Sequence, residues 1–521
     1  MSANKHGFFN HVVSTFVRGN LPLLIMMASI VAGFLALRVT PREEEPQIVV
    51  PLADIMVSYP GGSAEDVEKL VSSRLERLLY QIDGVEYVYS MSRPEQAIAT
   101  VRFYVGEDRE DSLLKLHNKL QQNIDLVTPG IAGWIVKPLE IDDVPIVNAT
   151  LYSERYDSIQ LYRVAEELVA KLQRIPNTGP IRIHGGKRQI VEVILKPERL
   201  AAYQLAPQDI AGAIQVSSAQ LISGSVESGN AQVLIEGSGF LRSIGDLQHL
   251  VVAMEEDRPV YLRDVANIQE GPLDADNYTR FGFGPASEQF QSGQTGGYQA
   301  VTISVCKKPG SNAVWVAREV QDRLAELRER VIPDEVGVAI TRDYGATAND
   351  KVNELVSSLV LAVITVVGLL AFTLHLRAGL IVATAVPITY SLTLLFNYLM
   401  GYTINRVTLF ALILALGLLV DDPIAGVENI ERHLREKRGQ PRIPTIVGAM
   451  REIMSPILLS TIAIILAFTP MFFITGMMGP YMRPMAINVP LAVLMSTVVA
   501  LTVTPWLTRV FLKTAEENVL P

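Results

Sequence analysis

Six stretches of about twenty predominantly apolar residues constrain this chain more than anything else in it, because each is long enough to cross a hydrocarbon core about 30 Å thick as a helix. They run from Leu21 to Leu37, Leu355 to Leu374, Gly379 to Met400, Val407 to Val427, Ile453 to Ile474 and Ala486 to Phe511. One stands alone and five are grouped, with roughly 315 mixed, polar residues between the two sets. A composition of 49% hydrophobic and 19% charged residues, with mean hydropathy +0.27, fits long apolar helices diluted by a large polar domain. The net charge of -9 argues against nucleic acid as a partner. Cys306 is the only cysteine, which excludes an internal disulfide and any cysteine-cluster metal site.

Charge sets the orientation. Lys5 and Arg18 precede the first segment without an acid among them, and Arg432, Arg435, Lys437, Arg438, Arg442 and Arg451 follow the fourth. Basic loops stay in the cytoplasm, so both regions belong there. Six crossings then return Arg509 and Lys513 to the same side and place the polar domain outside, in a periplasm. No small-residue cleavage site precedes the acidic run Arg42, Glu43, Glu44, Glu45, so the first segment reads as a retained helix.

The external region has an α+β pattern. A strand from Asp54 to Tyr59 and a Pro60-Gly61-Gly62 turn lead to Ser63, the cap of a helix carrying Val67, Leu70, Val71, Leu75, Leu78 and Leu79 at helical spacing. Strands from Val85 to Met91 and Ala97 to Val105 and a helix from Ser112 to Ile124 complete a β-α-β-β-α run of the ferredoxin-like, split β-α-β kind. The pattern returns with a strand from Pro145 to Tyr152, a helix from Ser158 to Leu172 and strands around Ile181 and Val191. It returns once more with a strand from Ala300 to Val305, a helix from Asn312 to Arg330 and a strand from Val336 to Thr341. The stretch from about Leu200 to Pro272, richer in Gly, Ser and Gln, reads as an insertion between the halves of the second unit.

The chemistry-bearing residues are Asp421 and Asp422, adjacent inside the fourth apolar segment. A carboxylate at the centre of a membrane helix costs at least about 2.5 kcal/mol on insertion scales, which makes an intramembrane pair a functional hypothesis by default. The bland alternative is a helix end near the interface, with Glu428 and Glu431 as its solvated continuation. About 14 apolar residues precede Asp421, a depth of roughly 20 Å from the outer side, and that favours the buried reading. Desolvation and mutual repulsion both oppose two full negative charges, so the pair suits proton uptake and release unless a buried cation holds both ionised. Pro423 lacks the N–H that would bond the Leu419 carbonyl, which predicts a kink and a bound water beside the carboxylates.

With these residues in view, the chain resembles the N-terminal half of a resistance-nodulation-division efflux transporter of the hydrophobe and amphiphile, multidrug type. The resemblance covers nearly the whole length. It rests on the single helix before a large external domain, on Tyr59-Pro60-Gly61-Gly62-Ser63-Ala64-Glu65, and on Gly417-Leu-Leu-Val-Asp-Asp with Val427-Glu-Asn-Ile-Glu431. It implies an inner-membrane pump in which Asp421 and Asp422 form the proton relay, Pro423 kinks their helix, and the proton motive force replaces any cofactor. Metal-exporting members typically carry Asp-Gly where Asp421-Asp422 stands here.

The same resemblance implies a division into residues 1–38 (cytoplasmic N-terminus and first membrane helix), 39–135 (first porter unit), 136–182 and 275–353 (second porter unit), 183–274 (docking-type insertion) and 354–521 (the other five membrane helices). Its implied partners are hydrophobic small molecules, a periplasmic adaptor, an outer-membrane channel and neighbouring copies in a trimer. The docking arm reads as short, from Ser223 to Gln232, and His184 stands where multidrug members often place an aromatic on the substrate path. Such pumps usually carry twelve membrane helices and a relay lysine in the second half, so a second six-helix half is expected, as a separate chain or as a C-terminal part. Two copies of this chain would bring together four carboxylates with no buried cation, unless Arg406 serves as one. The rival reading is a non-transporting membrane scaffold or receptor derived from such a half.

Other signals carry less. Met471, Met477, Met478, Met482 and Met485 resemble a soft-metal ladder, but no His or Cys joins them and packing is the expected role. No metal-ligand spacing, nucleophile elbow or phosphate-binding loop occurs, so an ATPase or other enzyme is unsupported. The basic stretch from Arg432 to Arg451 reads as a cytoplasmic interfacial helix.

Overall fold

The computed structural model describes residues 5–512 except 47, 141–142, 218–219, 229–230, 239–240, 256–257, 275–276, 291–296, 374–375 and 438. Arg438, Lys513 and the expected helix end at Leu374 lie outside the described residues. The chain opens with α1 (Lys5–Arg18), a helix the apolar-segment reading did not separate. Its Val13 and Val17 are buried against Ile430, Ile446, Met450 and Leu501. Then comes α2 (Leu21–Val39), apolar all round and about 28 Å long, with Pro22 in its first turn where a missing N–H is harmless. Gly33 lets it approach a later membrane helix closely, since a Cβ there would meet the Ser391 Cβ at 2.4 Å.

After α2, β1 (Leu52–Ser58) leads to a helix over residues 64–79, made of α3 (Ala64–Val67), one wider π-turn (Glu68–Ser72) and α4 (Ser73–Leu79). Ser63 caps it: its hydroxyl accepts from Asp66 N–H at 3.2 Å while the Asp66 carboxylate accepts from Ser63 N–H. β2 (Val85–Arg93), β3 (Gln96–Phe103), α5 (Arg109–Gln122) and β4 (Gly133–Leu139) follow. The sheet is antiparallel in the order β2-β3-β1-β4. Alternation along β1 and β3 turns Ile55, Val57, Ala99, Val101 and Phe103 toward one face, where Val67, Val71, Leu79 and Leu116 of the helices cover them.

A second unit repeats this order with β5 (Val147–Ser153), α6 (Ser158–Leu172) and β6 (Thr178–Gly185) from one part of the chain. Its other part comes about ninety residues later. Between them lie β7 (Gln189–Leu195), α7 (Pro197–Ala202), α8 (Pro207–Ser217), the hairpin β8 (Gln220–Ser228) and β9 (Ala231–Ser238), α9 (Ile244–Gln248), β10 (Val251–Glu255), β11 (Arg258–Tyr261), α10 (Leu262–Val265) and β12 (Ala266–Pro272). Two expectations change here. Val191 does not extend the second unit's sheet, because β7 pairs with β12 in a sheet of its own, and the arm is longer than Ser223 to Gln232. Strands of nine and eight residues give it a reach of about 30 Å.

The second unit resumes with β13 (Thr279–Phe281), β14 (Tyr298–Lys307), α11 (Ala313–Arg328) and β15 (Gly337–Asp343). Its sheet runs β6-β14-β5-β15, the counterpart of β2-β3-β1-β4, and β13 continues the edge that β6 occupies on β14. Leu161, Leu168, Leu172, Val316, Val320 and Leu324 of α6 and α11 bury the inner face with Leu151, Val301, Ile303 and Val305.

The rest of the chain is helical: α12 (Tyr344–Thr373), α13 (Leu376–Leu399), α14 (Arg406–Glu436), α15 (Arg442–Phe468) and α16 (Met478–Phe511). Among the described residues five helices are long and apolar enough to cross a membrane: α2, α13, α14, α15 with its following turn, and α16. The segment expected from Leu355 lies on α12. Arg432 to Arg451 is not a separate interfacial helix, because α14 runs on to Glu436 and α15 begins at Arg442. Met485 packs against the membrane core around Val420, Val489 and Val499.

A seam joins the helix bundle to the sheet-and-helix units, built from the acidic run after α2. Glu43 N–H donates to the Ile404 carbonyl (3.0 Å), Ile404 N–H to Pro41 (2.9 Å) and Arg406 N–H to Glu44 (3.1 Å), fastening the run to the start of α14. On the other side Ala313 N–H donates to the Arg42 carbonyl (3.1 Å), and the Arg42 guanidinium reaches Asn349 of α12. Lys307 of β14 donates to Glu43 at 2.7 Å with both side chains over 90% buried.

Candidate functional site

Asn405 starts α14 by accepting Thr408 N–H at 2.9 Å, and an apolar run then carries the helix inward to Asp421, Asp422 and Pro423. Pro423 has no N–H for the Leu419 carbonyl, and a protein group takes that place. Ser496 Oγ of α16 donates to the Leu419 oxygen at 2.7 Å. The sequence showed the orphaned carbonyl, but not which neighbour would fill it. The usable signal was the row of small polar residues Asn488, Ser496, Thr497, Thr504 and Thr508, all buried along α16.

Asp422 is buried, and its Oδ2 accepts from Thr497 Oγ1 at 2.8 Å. Thr497 Oγ1 also lies 3.2 Å from the Val493 carbonyl and 2.6 Å from Thr461 Oγ1 of α15. A hydroxyl is one donor and also an acceptor, so Thr497 can serve either state of the carboxyl group. It donates to an ionised Asp422, and it accepts from a protonated Asp422 while turning its own proton to Val493.

Adjacent residues on a helix point about 100° apart, and the pair divides accordingly. Asp421 is exposed on the surface of this chain, in a stripe with Phe410, Leu414, Gly417, Ala425 and Glu428. Neither carboxylate is ion-paired among the described residues. Arg406 is engaged elsewhere: it bonds Glu45 and Tyr481 at the N-terminal end of α14, about fifteen residues and roughly 22 Å along the helix from Asp421. Toward the C-terminal end of α14, Asn429 donates to the Ala449 carbonyl at 2.8 Å, while Arg432 and His433 both bond Glu452 (2.9 and 2.6 Å), tying α14 to α15.

His184 belongs to β6 of the second unit. It lies opposite Thr302, which lies opposite Thr150, so the three share the sheet face turned away from α6 and α11. Thr150 and Thr302 hydroxyls meet at 2.8 Å. On the same face Tyr152 stacks on Phe281 with centroids 4.4 Å apart, Phe283 stands edge-on to both at 5.6 and 5.0 Å, and Tyr298 closes the group at 5.4 Å from Tyr152. Gly337, paired with Tyr152, makes the room: a Cβ there would fall 2.2 Å from the tyrosine ring. Sequence reasoning weighed His184 alone and missed these four rings, although Tyr278-Thr-Arg-Phe-Gly-Phe-Gly284 alternates Phe and Gly conspicuously.

A bundle of long apolar helices holding a buried carboxylate, joined to two matching sheet-and-helix units, is the architecture that the sequence resemblance implied. Residues 13–519 match the model of the AcrB/AcrD/AcrF family, and the chain belongs to that family. It is similar to multidrug resistance protein MdtC of Enterobacter sp. (strain 638), at 27% identity over 504 residues that cover 96% of this chain and 47% of the relative. MdtC of Yersinia pestis bv. Antiqua (strain Angola) is 27% identical over 495 residues, covering 93% and 46%. The chain thus spans about half the length of the curated relatives it matches.

Proposed function

We propose that this chain is half of a proton-driven inner-membrane pump that exports hydrophobic or amphiphilic small molecules by proton antiport, with both its ends in the cytoplasm. The observation that carries the reading is the Thr497–Asp422 hydrogen bond, a buried carboxylate on a reversible hydroxyl. Protonation and release at Asp422 re-pair Thr497 and Thr461, and with them the packing of α14 on α15 and α16. Asp421 faces the side on which a second six-helix half supplies the counter-charge. The membrane potential adds about 2.3 kcal/mol per charge per 100 mV, enough to bias a two-state helix packing.

The two external sheets act as ferredoxin-like porter units, and the insertion with its β8-β9 arm docks neighbouring copies, a periplasmic adaptor and, through it, an outer-membrane channel. The ring cluster of Tyr152, Phe281, Phe283 and Tyr298, with His184 beside it, offers the apolar, sparsely polar lining that broad substrate binding needs. The printed name of the MdtC relatives, a multidrug resistance protein, supports the same substrate class.

The test is proton flux in proteoliposomes. The chain alone is expected to be silent, and coexpression with a second six-helix half should give substrate-linked flux from a complex holding both in equal amounts. Robust proton-dependent export by the 521-residue chain alone would overturn the reading.

A further inference from the structure

The first external unit contains an opening that the proposed transport path does not use. Between α4 and α5, over the helix-covered face of the sheet, lies a cavity of about 340 Å³. Its floor is Ile55 and Val57 of β1, and Leu70, Val71, Leu75 and Leu78 form one wall. Leu120, Val127, Ile131 and Trp134 form the other. Sheet-and-helix cores normally close such a space by packing the two helices together. Here the volume falls in the range of small-molecule pockets, about 300–1,000 Å³.

Two local features hold it open. The helix over residues 64–79 widens into the π-turn at Glu68–Ser72 where it passes the cavity, and turns of this kind concentrate at functional sites. Thr128 then braces the gap: its hydroxyl donates to the Leu70 carbonyl at 2.7 Å and accepts from the Arg74 guanidinium at 3.4 Å. The lining is apolar within and cationic at the rim. Among the described residues Arg74 and Arg77 are its only charged members, both are exposed, and no carboxylate lines the space. Neither arginine is ion-paired among the described residues.

We infer that this cavity binds a small amphiphile with an apolar tail and an anionic head, the tail lying over Ile55 and Val57 and the head meeting Arg74 and Arg77. Guanidinium groups suit carboxylate or sulfate, and the absence of any acid in the lining disfavours cationic amphiphiles of the same length. The site is separate from the carboxylates and from the ring cluster, and its occupancy is measured without transport, so its failure and that of the proposed pump are distinguishable.

The experiment uses dodecanoate bearing a tail diazirine, photolysed with the full chain in lipid nanodiscs and followed by peptide mapping. Labelling is expected on peptides spanning residues 70–78 and 123–134, and excess dodecanoate should compete it away while dodecyltrimethylammonium does not. The surface double variant Arg74→Gln/Arg77→Gln should weaken labelling about tenfold, the size expected for lost charge-assisted contacts. Val71→Phe, which fills the space, should abolish it. Labelling confined to the membrane helices, equal competition by the cationic amphiphile, or unchanged labelling in the double arginine variant would each overturn the inference.

Discussion

Thr497 Oγ1 stands 2.8 Å from Asp422 Oδ2 and 3.2 Å from its own helix's Val493 carbonyl, so its hydroxyl proton has an acceptor besides the carboxylate. Which it chooses depends on whether Asp422 carries a proton. Thr497→Ala removes the rotor and strands a buried carboxyl group at a cost of about 1–3 kcal/mol. In the complete transporter it should shift the pH dependence of substrate-linked proton flux, and Thr497→Ser should restore the wild-type profile. An unchanged profile in Thr497→Ala would remove Thr497 from the relay.

Asp421→Asn and Asp422→Asn should each abolish export while leaving the protein inserted, since each keeps the volume and removes the titratable group. The structure separates them in one respect. Asp422→Asn alters a buried contact with α16, whereas Asp421→Asn alters only an exposed face of this chain. Thermal unfolding of the isolated chain should therefore change more for Asp422→Asn, and near-normal export by that variant would contradict the assignment.

Ser496 and Pro423 form a testable pair. Ser496→Ala should cost about 1 kcal/mol, because the Leu419 carbonyl loses the hydroxyl that takes the place of the missing proline N–H. In a Pro423→Ala background the residue 423 N–H returns to that carbonyl, so the same change should cost much less. Double-mutant unfolding measurements that give additive effects would mean that the two residues do not share the carbonyl.

Gly337→Ala should displace the Tyr152 ring and open the cluster with Phe281 and Phe283. The expected outcome is a severalfold change in efflux of aromatic substrates with proton flux for small aliphatic substrates retained. Uniform loss of both would point to a folding defect instead, which Phe281→Leu, a milder change, would distinguish.

The buried Glu43–Lys307 pair spans the seam. Removing one partner, as in Lys307→Met, should destabilise the chain by about 3–5 kcal/mol, whereas Glu43→Leu with Lys307→Met should recover much of the loss. Equal melting temperatures for Lys307→Met and wild type would show that the pair holds nothing together.

Much of the fold was legible because its signals are local. Apolar runs of about twenty residues announce membrane helices, and Ser63 with Val67, Val71 and Leu79 announces a capped helix with one buried face. Asp421 and Asp422 stood out because charge in an apolar run is costly. What escaped was decided between distant segments. No local pattern tells that Ser496 will find Leu419, that Glu43 will be buried against Lys307, or that four rings from three separate stretches of chain will meet over Gly337. Val191 was misassigned for the same reason: a strand's residues show that it pairs, while its partner, β12, lies about seventy residues away.

The place where the insertion leaves and rejoins the second unit has a consequence for how the gene can be cut and rejoined. β6 and β14 are hydrogen-bonded neighbours, with Gly185 directly opposite Val301, so a whole domain occupies what is topologically the loop of one hairpin. The first unit spans the equivalent position, from Arg93 to Gln96, with a tight turn. Closing a longer loop costs only about 0.6 kcal/mol for each doubling of its length, and both ends are already held by the sheet. The insertion is therefore a cassette: excised and replaced by a short turn, it should leave a porter sheet that still assembles, and grafted onto another hairpin of this kind it carries its arm along.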